Sequence, residues 1–186
     1  MNCENDKYFN HQALIDAKMG ILSPQPTVID IGQIIYRFGS DVLNAKSRSW
    51  WLDANQYSSV RTWAALSGLT IPHAARVLCA VAHEWGKGAP SHANMLVLAS
   101  ATVRKPLRAY QGLTAPQLVL AGGKTAEFFD MPLMSPLARI LQLYIPGLHD
   151  SAVASASLVF GSVQHFKEGD SHIGGVPGFP KGAIIQ

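Results

Sequence analysis

The residues able to do chemistry fall in four places along the chain. His83-Glu84-Trp85-Gly86-Lys87 begins like a zinc-binding HExxH helix. Its fifth position is Lys87, so the second imidazole one turn on is missing. Gly122-Gly123-Lys124-Thr125 is the most suggestive string. As a Walker A loop it fails, because Leu118 stands where the first glycine belongs. It also reads as two glycines ending one helix and Lys124 starting the next. The free N–H groups at that second start, with Lys124, would then suit a phosphate. The bland alternative is a glycine C-cap followed by a solvated lysine. Asp150 precedes the small-residue run Ser151-Ala152-Val153-Ala154-Ser155-Ala156. It serves either as an N-cap or as an ionised carboxylate able to act as a base or to stabilise positive charge. The fourth place is the loop from Trp85 to Asn94. It brings Lys87, His92 and Asn94 around a glycine-rich turn, an arrangement that can enter a nucleic-acid groove or line a pocket. Two cysteines, Cys3 and Cys79, cannot hold an iron–sulfur cluster by thiolates alone, and no CxxC pair exists. No metal or cofactor is expected.

The elements that would position these groups read as helical. Val28, Ile31, Ile34, Ile35, Phe38 and Val42 recur at three- and four-residue steps. The spacing predicts helices over Val28–Lys46, Pro72–Trp85, His92–Val103 and Pro136–Tyr144, and an early one over Tyr8–Lys18. Another apolar stripe runs from Trp51 through Val60 to Ala64, with a break at Ser58-Ser59. Thr70-Ile71-Pro72 and Ser135-Pro136 mark starts, and Gly68 marks a stop. No alternating strand stands out. The expected fold class is therefore all-α, a compact bundle of about eight to ten short helices with a Gly/Pro-rich C-terminal tail. Residues 1–167 form one helical domain, with an N-terminal helix and linker over 1–27 and a core over 28–167. Residues 168–186 are the tail.

Composition bounds the class. The 186 residues are 48% hydrophobic and 15% charged, too apolar for a disordered chain. The net charge of +3 permits a nucleic-acid partner without requiring one. The acidic, polar N-terminus is the reverse of a signal peptide. The longest apolar stretch, Met95–Val103, is too short to span a bilayer. A cytoplasmic protein in a reducing compartment, with no membrane partner, is expected.

The order of these pieces resembles the helix–hairpin–helix DNA glycosylase superfamily of the endonuclease III type, and a group of small phage proteins that share the pattern. In that resemblance Leu118–Phe129 is the hairpin and Asn94 lies on the DNA-facing loop. Lys124 matches the Schiff-base lysine of lyase-type members, and Asp150 the catalytic aspartate. Leu120 replaces the first hairpin glycine, and Ala152 the histidine that often follows the aspartate. The resemblance implies a DNA partner, contacted by Lys87, His92, Asn94, Gly122, Gly123, Lys124 and Thr125. It implies base excision or base modification through Asp150 and Lys124. The alternative is a non-catalytic all-α binding or interaction module, with a protein partner in place of DNA.

Overall fold

A computed structural model describes residues 2–81, 95–115 and 140–167, and the backbone of 120–121 and 124–125. Its elements are β1 (Ile21–Ile29), β2 (Ile34–Gly39), β3 (Trp50–Asp53), β4 (Val97–Val103), β5 (Leu107–Thr114), β6 (Leu120–Ala121), β7 (Lys124–Thr125), β8 (Leu141–Tyr144) and β9 (Leu158–His165). The helices are α1 (His11–Lys18), α2 (Val42–Lys46), α3 (Ala54–Ser67), α4 (Ile71–Leu78) and α5 (Ser151–Ser157), with a 3-10 turn at Asp6–Tyr8. Seven strands form one sheet in the order β1-β5-β8-β3-β2-β4-β9, antiparallel at every step.

This overturns the all-α expectation and with it the helix–hairpin–helix resemblance. The stretch Val28–Lys46 holds a strand end, a turn, a second strand and a five-residue helix. The predicted helices over His92–Val103 and Pro136–Tyr144 give way to β4 and β8 in their described parts. The physical reason is burial on both faces. A strand covered on both sides is apolar at nearly every position, so three- and four-residue steps can be drawn through it. In β4, five of seven residues are buried, Val97, Leu98, Ala99, Ala101 and Val103, and they fall on both faces. Around the two glycines, Leu120 pairs with Thr125 and Ala121 with Lys124. Two short strands flank Gly122-Gly123, where the hairpin reading needs two helices. Gly-Gly between paired strands is equally a β-turn signal.

Two layers cover the sheet. On one face Ile35, Trp51, Ala109 and Leu143 pack with Leu148, Val153 and Ala154 from the α5 region. On the other, Leu52 packs with Val60 and Ala64 of α3 and with Ala74, Ala75 and Leu78 of α4. Beside them α1 lays Ala13 and Ala17 against Ile21, Tyr110 and Tyr144. Successive residues of β3 therefore serve different layers, Trp51 one and Leu52 the other, as the two-residue period of a strand requires.

Two of the helix starts read from the sequence hold, Thr70 for α4 and Asp150 for α5, whereas Ser135-Pro136 lies outside the described residues and the helix expected from it reaches β8. Among the described residues, each of the five α-helices carries a side-chain N-cap, from Asn10, Asp41, Asp53, Thr70 and Asp150. Gly68 ends α3 at φ +66°, a left-handed conformation that suits glycine. The break expected at Ser58-Ser59 is absent, and α3 runs through it. Ser59 satisfies its hydroxyl by donating to the Asn55 carbonyl at 3.1 Å. Among the described residues, no helix is long and apolar enough to cross a membrane.

Candidate binding cleft

The cleft arises where two neighbouring strands part. β2 and β3 pair at Ile35↔Asp53 and Tyr36↔Leu52, and there the pairing ends. β2 continues along β4 as far as Gly39↔Val97, while β3 turns to β8 through Trp50↔Tyr144 and Trp51↔Leu143. Arg37 and Phe38 on one side, and Trp50 and Trp51 on the other, thus face a gap in the ladder. A cavity of about 640 Å³ occupies it, a size suited to a small molecule.

Arg37 is held at the edge of this gap by backbone carbonyls. Its Nη1 donates to the Phe38 carbonyl at 3.0 Å and to the Asn44 carbonyl of α2 at 2.9 Å. Asn44 is in reach because Gly39 lets α2 settle onto the end of β2. Asp41 caps that helix by accepting from the Asn44 N–H at 2.7 Å. The Arg37 Nε is buried and has no hydrogen-bond partner. No carboxylate neutralises the guanidinium among the described residues. Burial, and then the nearby charge of Arg48, pull its pKa down to about 10, so it stays charged at neutral pH. Arg48 stands exposed at the mouth of the same cleft. Two like charges beside an unpartnered, desolvated N–H are costly unless an anion joins them.

The walls are aromatic. Tyr36 stacks on Tyr57 of α3 with centroids 4.2 Å apart. Trp50 meets Tyr144 edge-on at 4.9 Å and remains partly exposed. On the α1 side Tyr144 donates its hydroxyl to Asp16 at 3.2 Å. Burial first, and then the Asp16 charge, push that phenol up to about 12, so it remains a donor. Cys79 also lines the cleft, but burial pushes its thiol up to about 12, which leaves it protonated and a poor nucleophile at neutral pH. A second cavity, of about 330 Å³, contains Asp53 and no cation, and Asp53 is already engaged in capping α3.

The residues proposed from sequence fare differently. Asp150 caps α5, accepting from the Ala152 N–H at 2.9 Å. Its other oxygen accepts from the Tyr8 hydroxyl at 2.7 Å and from Lys7 at 3.3 Å. The Tyr8 bond, with the Ala152 N–H and Lys7, holds this carboxyl down at about 2. It is thus engaged in fastening the N-terminal segment to α5, and it does not line the cleft. Lys124 and Thr125 belong to β7 by their backbone. Lys87, His92, Asn94, Gly122 and Gly123 lie outside the described residues. The described residues hold no cluster of His, Cys, Asp or Glu fit for a metal ion. Sequence reasoning missed Arg37, Arg48, Trp50, Asp16 and Tyr144. The available signal was Arg37 itself, a lone cation between Tyr36 and Phe38 in an apolar run, with Trp50-Trp51 following Arg48 closely. Compared with known proteins, the chain matches no family model, no curated protein and no solved structure.

Proposed function

We propose that the protein is a binding module for a small anion bearing a flat ring, held in the gap between β2 and β3. The observation that carries this reading is Arg37. Its guanidinium is fixed by two backbone carbonyls, leaves a buried Nε unpartnered, and faces the cavity beside Arg48. A guanidinium so oriented is suited to phosphate or carboxylate oxygens. The partly exposed Trp50 offers a surface on which a planar ring can stack.

This reading shares with the alternative drawn from the sequence only that it is non-catalytic: it sets a small-molecule ligand in place of a protein partner, and a sheet in place of an all-α bundle. The glycosylase reading has lost the fold that carried it. DNA binding and a phage origin, which came with it, have no support among the described residues. A cytoplasmic location belongs to the proposal and draws support from Cys3 and Cys79, both free thiols.

The test is calorimetric titration of the full chain with ADP, adenosine and pyrophosphate. ADP should bind and adenosine should bind far more weakly. Arg37→Met should lose at least tenfold in ADP affinity, because a charge-assisted bond contributes about 1.5–3 kcal/mol. Equal affinity of wild type and variant, or no binding of any of the three, would overturn the reading.

A further inference from the structure

We infer that the anion held in this cleft is doubly charged, a phosphate monoester in preference to a sulfate or a carboxylate, with Arg37 and Arg48 each meeting one of its charges. The inference rests on the anion reading above and names the class of anion that the site selects.

The ladder places both arginines on one face of the sheet. In β2, Ile35 pairs with Ala101 and Arg37 with Ala99. Ile35 and Ala101 share a core cluster with Trp51 and Leu143. Arg37, two residues on from Ile35, therefore points to the same side as Trp51. The helix α2 covers that side, with Ala45 against Val97 and Ala99. The chain leaving α2 is bent back over the same face. The Trp51 indole donates to the Arg48 carbonyl at 2.7 Å, and the Ile145 N–H donates to the Ser49 carbonyl at 2.7 Å. These bonds set the Arg48 backbone at the rim on Arg37's side, and both arginines line the cavity.

The positive charge there is unbalanced. Among the described residues neither arginine has an ion pair. Lys46, at the end of α2, is turned to the Phe160 ring, 5.1 Å from its centroid. Asp16 also lines the cavity but comes from the other side. Its helix packs on Tyr144, which follows Leu143 in β8 and so faces the opposite way. Gln12 donates to its Oδ1 at 2.8 Å and Tyr144 to its Oδ2 at 3.2 Å. A monoanion on the Arg37 side would cancel one of two positive charges and leave the other in a partly desolvated place. A dianion cancels both. A phosphate monoester is nearly a dianion above its second pKa of about 6, and its three free oxygens can meet Arg37 and Arg48 at once. A sulfate ester has the same shape with a single charge, and a carboxylate has fewer oxygens as well.

The experiment is calorimetric titration of the full chain, at about pH 8, with phenyl phosphate and phenyl sulfate, which share a ring and a tetrahedral head and differ by one charge. Wild type should bind the phosphate roughly tenfold more tightly or better, as expected for one further charge-assisted contact. Arg48→Met should bring that ratio near one, mainly by weakening the phosphate. Arg48→Lys keeps the charge and should retain most of the preference. Arg48 is exposed, so neither change disturbs the packing. Equal binding of the two esters by wild type, or an unchanged ratio in Arg48→Met, would overturn the dianion assignment and leave the anion reading standing. Failure of both esters to bind would overturn the anion reading itself, and the assignment with it.

Discussion

A Cβ placed on Gly39 would lie 2.6–2.8 Å from the backbone nitrogen, Cα and Cβ of Ala45. The helix that follows β2 therefore rests directly on that strand's last residue, and the Asn44 carbonyl that holds Arg37 belongs to the same helix. Gly39→Ala should push α2 away. The expected cost is about 1–3 kcal/mol of stability, as for an overpacked core. ADP affinity should fall as well, although residue 39 carries no charge. Thermal melting and titration on the same sample check both.

Trp51 is 2% exposed, packs in the main core and donates its indole N–H to the Arg48 carbonyl at 2.7 Å. Trp51→Ala should cost about 3–5 kcal/mol. Chemical denaturation would measure it, and a loss below 1 kcal/mol would contradict the packing described.

Asn5 is fully buried and ties three parts of the chain together. Its amide donates to the carbonyls of Arg108 and Pro146, both at 2.9 Å, and its oxygen accepts from the Arg108 N–H at 2.8 Å. Asn5→Ala strands those backbone groups in the interior, so the expected loss is about 1–3 kcal/mol. Asn5→Asp should be no better a substitute, because an ionised carboxylate has nothing to donate to two carbonyls.

The Asp150 carboxyl is held at about 2, against an ordinary 3.8. A depressed acid stabilises the fold above its ordinary value, and the contribution is lost as pH falls through the depressed one. Its window therefore runs from about 4 down to about 2. Tyr8→Phe removes the largest cause and should raise the Asp150 pKa, narrowing the window from its lower end. Titration of the carboxyl carbon by NMR would show the shift. An unmoved pKa would mean that the Tyr8 bond is not formed in solution.

The sequence disclosed some of its helix caps and concealed its strands. Thr70 and Asp150 were legible as caps because a cap is a local event, one side chain answering an N–H two or three residues on. The strands were illegible because their pattern depends on what covers each face. Ile35 serves one core cluster while Tyr36 and Phe38 serve another, and both look apolar in the chain. The cleft was hidden for a related reason. Arg37, Trp50 and Tyr144 come together only through pairings between distant segments, which no local spacing encodes.

The position of β3 in the sheet governs the order in which the protein can be assembled. Its neighbour β8 leaves the ribosome after β1 to β7, and β5 needs that same strand to join the rest. A nascent chain that has emerged through β4 can close only the β3–β2–β4 ribbon, and the Trp50 edge of that ribbon must wait. Pairings so distant in sequence impose slow closure. During synthesis the apolar edge of β3 is a stretch that a chaperone or a second nascent chain could engage before β8 arrives.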